Sequence, residues 1–145
     1  MSTNLFRVAQ STFRRSSSIY RPSQSSSSRN FHTTLPKMTV HNLQTAEAFK
    51  EAIQNNKVVM LDCFATWCGP CKAIAPILAN HSNEDQFKDI FFAKIDVDDL
   101  PDVSQELGIT AMPTFMIFKD GNLEPAEKLV GANPNALVSM LKKHA

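Results

Sequence analysis

Two thiols with two residues between them, Cys68 and Cys71, lie in the run Trp67-Cys68-Gly69-Pro70-Cys71. A Cys-x-x-Cys either ligates a metal or cycles between dithiol and disulfide. With Cys63 the spacing becomes C-x4-C-x2-C, part of the pattern of plant-type iron–sulfur proteins, but the fourth cysteine is missing. A tetrahedral zinc site would want a second Cys or His pair, and His41, His81 and His144 are isolated from one another. Thiol–disulfide exchange is therefore the expected chemistry, with no bound metal. Cys63 reads as a small buried apolar residue.

The segment that delivers the dithiol is Val58–Phe64, an apolar run broken by one carboxylate, Asp62. Such a run suits a strand buried on both faces of a sheet. Lys72-Ala73-Ile74-Ala75 follows as a helix start, so the thiols sit on a strand-to-helix turn. Pro70 is well placed in a helical first turn, and Pro76 falls inside the pattern Ile74, Ile77, Leu78, where it predicts a kink.

The whole chain has 145 residues, within the range of one domain. Residues 1–37 contain six of the fifteen basic residues, ten serines and no Asp or Glu. All fourteen acidic residues lie in 38–145, which leaves that body a formal charge of about −5. A basic face for nucleic acid is not expected, and no apolar run is long enough for a membrane span. Three cysteines do not make a disulfide scaffold and fit a reducing compartment.

Residues 1–37 cannot build a core. Their composition, with Leu5, Phe6, Val8, Ala9 and Phe13 interleaved among Arg7, Arg14 and Arg15, predicts a mitochondrial transit peptide directing the chain to the matrix. Arg29-Asn30-Phe31-His32-Thr33-Thr34 resembles a matrix processing site, cut first before Phe31 and then before Thr39. Met38, at the start of the globular sequence, offers an alternative start for an untargeted cytosolic form.

The domain expected over 38–145 reads β-α-β-α-β-α-β-β-α. An edge strand over 38–42 leads to a helix capped by Thr45 that runs to about Asn56, with Ala48, Phe49, Ala52 and Ile53 as its apolar stripe. After the dithiol come a strand over Ile90–Asp96 and a helix over Asp98–Leu107 stopped by Gly108. A strand over Met112–Phe118 then turns at Asp120-Gly121, a two-residue hairpin signal, into a strand near Glu127–Val130. Asn133 caps a last helix with Pro134 in its first turn and Lys142, Lys143 and His144 at its end. The class is α/β, a central mixed five-stranded sheet flanked by four helices.

Over 38–145 the chain resembles the thioredoxin family. The resemblance rests on Trp67-Cys68-Gly69-Pro70-Cys71, Asp62, Pro76, Lys94, Met112-Pro113-Thr114, Asp120-Gly121 and Val130-Gly131-Ala132, all in the right order. It implies the thioredoxin fold and a protein-disulfide reductase. Cys68, at a helix N-terminus where unpaired N–H groups favour a thiolate, attacks. Cys71, one turn on and expected deeper, resolves the mixed disulfide. The resemblance gives Asp62 the second proton and makes Lys94 its charge partner. Gly69-Pro70 sets the redox poise toward reduction, and Gly69 lets client backbone approach. A cis Pro113 would present Met112's backbone to an extended client. Trp67, Gly69, Pro70, Ala111, Met112, Gly131 and Ala132 would form a shallow apolar docking surface.

The same resemblance implies a monomer with no bound cofactor, recharged by thioredoxin reductase, to which the NADPH and FAD belong. Clients would be disulfide-containing proteins such as thiol peroxidases. An oxidase or isomerase would call for a less reducing dipeptide than Gly-Pro. A non-enzymatic docking module would have no use for an intact Cys68–Cys71 pair.

Overall fold

Five strands form one sheet in the order β1-β3-β2-β4-β5 in the computed structural model, which describes residues 40–145. The predicted transit peptide over 1–37, its expected processing positions and the expected alternative start at Met38 lie outside the described residues. The strands are β1 (Val40–Asn42), β2 (Val58–Phe64), β3 (Ile90–Asp96), β4 (Thr114–Lys119) and β5 (Glu127–Val130). β1 and β2 both pair with β3 in parallel, whereas β2–β4 and β4–β5 are antiparallel. Four helices, α1 (Ala46–Asn55), α2 (Gly69–His81), α3 (Pro101–Glu106) and α4 (Pro134–His144), complete the expected α/β element order. The short 3-10 turn Asp85–Phe87 was not expected from the sequence.

Alternation along β2 and β3 decides what faces what. Met60 and Phe92 join Ile74 and Leu78 of α2 and Leu137 and Leu141 of α4 in one core cluster. Val59, Leu61, Cys63, Ala93 and Ile95 point the other way, to Phe49 and Ile53 of α1 and Val103 of α3. Each Val, Leu, Ile, Phe or Met side chain among them, once removed from water, contributes roughly 1.5–3 kcal/mol. The two-residue period puts Asp62 and Lys94 on the α2 face and Cys63 on the opposite one. Cys63 is therefore separated from the dithiol by the sheet itself.

The helix ends follow the expected local chemistry. Thr45 accepts a hydrogen bond from the Ala48 N–H at 3.1 Å, and Asn133 Oδ1 accepts from Asn135 and Ala136 N–H groups at 3.1 and 3.2 Å. α2 runs through Pro76 without a break, although that residue has no N–H to offer the Lys72 carbonyl. Gly108 has φ +59° and stops α3 as expected.

Two expectations are corrected. α3 starts at Pro101 rather than Asp98, because residues 97–99 form a turn in which the Asp98 N–H donates to Asp96 Oδ1 at 3.0 Å. The residue before a proline also avoids helical backbone, and Leu100 has φ −123° and ψ 63°. Asp120-Gly121 does turn the chain, with both φ values positive and the Asn122 N–H donating to the Lys119 carbonyl at 3.0 Å. It is not a two-residue hairpin, however, because the β4–β5 ladder begins only at Ile117↔Glu127. Asn122 Oδ1 takes the Glu124 N–H at 3.0 Å and Pro125 has no N–H, so the chain re-enters the ladder late.

Candidate active site

β2 ends at Phe64 and α2 begins at Gly69, which leaves four residues to turn the chain over the end of the sheet. The turn is fastened twice: the Cys68 N–H donates to the Ala65 carbonyl at 3.1 Å, and the Val97 N–H donates to the Phe64 carbonyl at 2.9 Å. Cys68 is thereby the N-cap of α2, and Cys68 and Cys71 are joined as a disulfide. The Cys71 N–H points at Cys68 Sγ, 3.2 Å away. A helix N-terminus directs its unpaired N–H groups and partial positive charge at this sulfur, which favours a thiolate once the disulfide is reduced.

Depth does not separate the two thiols, contrary to expectation: Cys68 is 5% and Cys71 4% exposed. What separates them is their surroundings. Cys71, with Asp62, Lys94, Lys72 and Thr66, lines an open cavity of about 300 Å³, whereas Cys68 does not. Asp62 is 4% exposed, and its Oδ1 has no hydrogen-bond partner in the protein. Burial pushes its carboxyl up to about 7, with the Lys94 charge pulling in the opposite direction. An acid in that range can take and return a proton near neutral pH.

Lys94 is level with Asp62 in the β2–β3 register. The two side chains nevertheless make no ion pair within 4 Å. The Lys94 ammonium lies over the Phe64 ring, 5.1 Å from its centroid. Its effect on Asp62 is that of a charge at a distance.

The second wall comes from the segment ahead of β4. The Met112–Pro113 peptide is cis, and Pro113 is buried. Met112 is half-buried and packs against the cluster of Ala65, Cys68 and Cys71. The Gly131 N–H donates to the Pro113 carbonyl at 2.8 Å, so the Gly131 segment sits beside the cis proline. Gly131 has φ +98°, backbone that a side chain would strain. Trp67, Gly69, Pro70, Ala111 and Ala132 are exposed, Trp67 by 66%. A Cβ on Gly69 would meet nothing within 4 Å, which keeps the approach to the disulfide open.

Two neighbours were missed from the sequence. Trp67 Nε1 donates to Asp98 Oδ2 at 2.8 Å, which holds the indole at the mouth of the site. Because Phe64 pairs with Asp96, residues just beyond each must emerge at the same end of the sheet. That pairing, read ahead of time, would have found Asp98. Lys128 of β5 was also missed: its Nζ donates to the Gly108 carbonyl at 2.7 Å and the Leu107 carbonyl at 3.3 Å. Among the described residues no group of three or more His, Cys, Asp or Glu could hold a metal ion.

Residues 39–143 match the family model described as Thioredoxin. Thioredoxin-2 of Pyricularia oryzae is 52% identical over 113 residues, which cover 78% of this chain and 64% of that protein. The chain thus spans just under two thirds of that relative's length. Mitochondrial thioredoxin 3 from Saccharomyces cerevisiae, in its oxidised form, superimposes with a TM-score of 0.66 at 39% identity, covering 72% of this chain and 94% of that one. A chain from a structure concerning the thiol-resolving mechanism in yeast mitochondrial 1-Cys peroxiredoxin via glutathione/thioredoxin systems gives 0.66 at 38%, covering 72% and 95%. With its redox pair closed as a disulfide at the head of α2 and the cis Met112–Pro113 peptide beside it, this chain belongs to the thioredoxin family, whose members are thiol–disulfide oxidoreductases.

Proposed function

We propose that the domain over 38–145 is a protein-disulfide reductase working through Cys68-Gly69-Pro70-Cys71. The observation that carries the reading is the asymmetry around the two sulfurs: Cys68 caps α2, while Cys71 shares a cavity with the unpartnered, protonatable Asp62. In the reduced protein the Cys68 thiolate attacks a client disulfide and releases one client thiolate, which takes up a proton. Cys71 gives its proton to Asp62, directly or through a water in the cavity, and its thiolate attacks Cys68 Sγ. The second client thiolate leaves, takes up a proton in turn, and the Cys68–Cys71 disulfide closes. Two electrons have passed to the client. Lys94 limits how far burial raises Asp62, and Gly69-Pro70 sets the poise toward reduction. Trp67, Met112, Pro113, Gly131 and Ala132 hold the client as an added strand against exposed backbone.

The domain binds no cofactor of its own in this reading. Thioredoxin reductase, with its FAD and NADPH, restores the dithiol, and the domain acts as a monomer. Disulfide-containing proteins are the clients, with thiol peroxidases the class suggested by the peroxiredoxin system in which one structural neighbour occurs. The acid-free, Arg- and Ser-rich composition of 1–37 and the resemblance to a mitochondrial thioredoxin support a matrix location, with a start at Met38 as the route to a cytosolic form. Among the described residues no helix is long and apolar enough to cross a membrane.

Insulin reduction driven by NADPH and a thioredoxin reductase tests the activity. The wild-type chain should turn over; Cys68→Ser should be inactive, and Cys71→Ser should accumulate a client mixed disulfide. A fully active Cys68→Ser variant would overturn the mechanism. N-terminal sequencing of the protein from purified mitochondria tests the address, and a terminus near Met1 would defeat the processing proposal.

A further inference from the structure

We propose that Met112 is a peroxide-oxidised modification site whose sulfoxide weakens client docking while leaving the dithiol chemistry intact. The proposal rests on the reading that Met112 belongs to the docking surface. Four methionines lie among the described residues, and three of them are core: Met60 and Met116 are 0% exposed and Met140 is 3% exposed. Met112 alone of the four is half-buried. One side of it packs on Ala65, Cys68 and Cys71. It also lines a second open groove, of about 380 Å³, with Val97, Ser104, Ile109 and Ala111. Its thioether is therefore reachable from solvent at the point where the disulfide and the groove meet.

The oxidant is hydrogen peroxide or an organic hydroperoxide. The thioether sulfur attacks one peroxide oxygen and the O–O bond breaks. The sulfur gains that oxygen and loses two electrons, and the other oxygen leaves as water or alcohol after taking the proton. The product is a polar, chiral sulfoxide in place of a flexible apolar side chain. A client that would bury Met112 must then bury an oxygen without a partner, which costs affinity. A small disulfide reacting at Cys68 needs none of that surface.

The test uses the full chain in its disulfide form, which shields Cys68 and Cys71, with Cys63 protected by burial. After limited hydrogen peroxide treatment, peptide mass mapping should show an oxygen on Met112 before Met60, Met116 or Met140. After re-reduction of the disulfide, KM for insulin should rise about fivefold, on the order of 1 kcal/mol, with the rate toward a small aromatic disulfide unchanged. Treatment with both methionine sulfoxide reductases should restore KM. Met112→Leu, judged against its own untreated sample, should show no peroxide-dependent rise. Core methionines oxidising first, an unchanged KM in the oxidised protein, an equal rise in Met112→Leu, or no repair would each overturn the proposal. None of these outcomes bears on whether Cys68 attacks, which the Cys68→Ser assay decides separately.

Discussion

Asp62 and Lys94 stand level on adjacent parallel strands and on one face of the sheet, yet form no ion pair, because the ammonium extends over the Phe64 ring. A direct pair would lower the Asp62 carboxyl and leave it too weak a base to take the Cys71 proton near neutral pH. Left unpaired at 4% exposure, the carboxyl is pushed up to about 7 from 3.8.

That elevation fixes a sign for stability. Between about pH 4 and pH 7 the folded protein keeps a proton on Asp62 that the unfolded chain has lost, so stability falls as pH rises and levels off above the folded value. Removing the carboxyl should therefore stabilise the oxidised protein at pH 8, by up to about 4 kcal/mol from 1.36 kcal/mol per pKa unit. Below pH 4 the Asp62→Asn gain should vanish. Urea unfolding of both proteins at pH 3.5 and pH 8 checks this, and equal differences at the two pH values would show that Asp62 is not elevated. The same variant should slow release of the client mixed disulfide by at least tenfold near pH 7, with the first attack little changed.

Asp98 should act on the client through Trp67. Asp98→Ala removes the carboxylate 2.8 Å from Nε1 and frees the indole. Loss of about 1 kcal/mol of ordering should raise KM for a protein client about fivefold and leave kcat nearly constant. Trp67 is the chain's single tryptophan, so its emission reports the same event without a client. Unchanged emission and KM in Asp98→Ala would remove Asp98 from the site.

Lys128 should steady the segment that carries Met112. Its ammonium satisfies the Gly108 and Leu107 carbonyls at the end of α3, while Gly131 in the next turn holds the Pro113 carbonyl. The Leu107–Pro113 segment is thus held near both ends by β5 and its exit. Lys128→Met keeps the stem and loses the charge; it should raise client KM by about threefold and lower stability by about 0.5–1 kcal/mol. Lys128→Arg should restore most of both. A KM unaltered in Lys128→Met, measured beside its melting curve, would reduce Lys128 to a helix cap.

Cys63 should be inert in the folded protein. It is 0% exposed, and burial, with the Asp62 charge adding to it, pushes its thiol up to about 12. A thiol-reactive dye should label the oxidised protein at Cys63 only after denaturation. Cys63→Ala should keep the reductase activity, while Cys63→Ser should cost about 1–3 kcal/mol for a buried hydroxyl. Rapid labelling under native conditions would contradict the burial.

Local chemistry made much of this domain readable in advance. The apolar run of β2, the Thr45 and Asn133 caps, the Gly108 stop and the placement of Cys68 at the head of α2 depend on neighbours within a few residues. The two-residue strand period even separates Asp62 from Cys63, since adjacent strand residues must face opposite ways. Other features depend on partners 20 residues or more away in the chain, as with Trp67 to Asp98 and Lys128 to Gly108. Strand order and register bring those pairs together, and both are set by packing two cores against one sheet. The start of α3 and the late β4–β5 ladder were set locally instead, by the Asp98 N–H on Asp96 Oδ1 ahead of Pro101 and by the Asn122 and Pro125 turn. The sequence alone determined that two thiols and a buried acid would meet at the end of a strand. Only the folded sheet decided that the Lys94 ammonium would lie over the Phe64 ring rather than pair with that acid, because a buried ion pair would cost both groups their hydration.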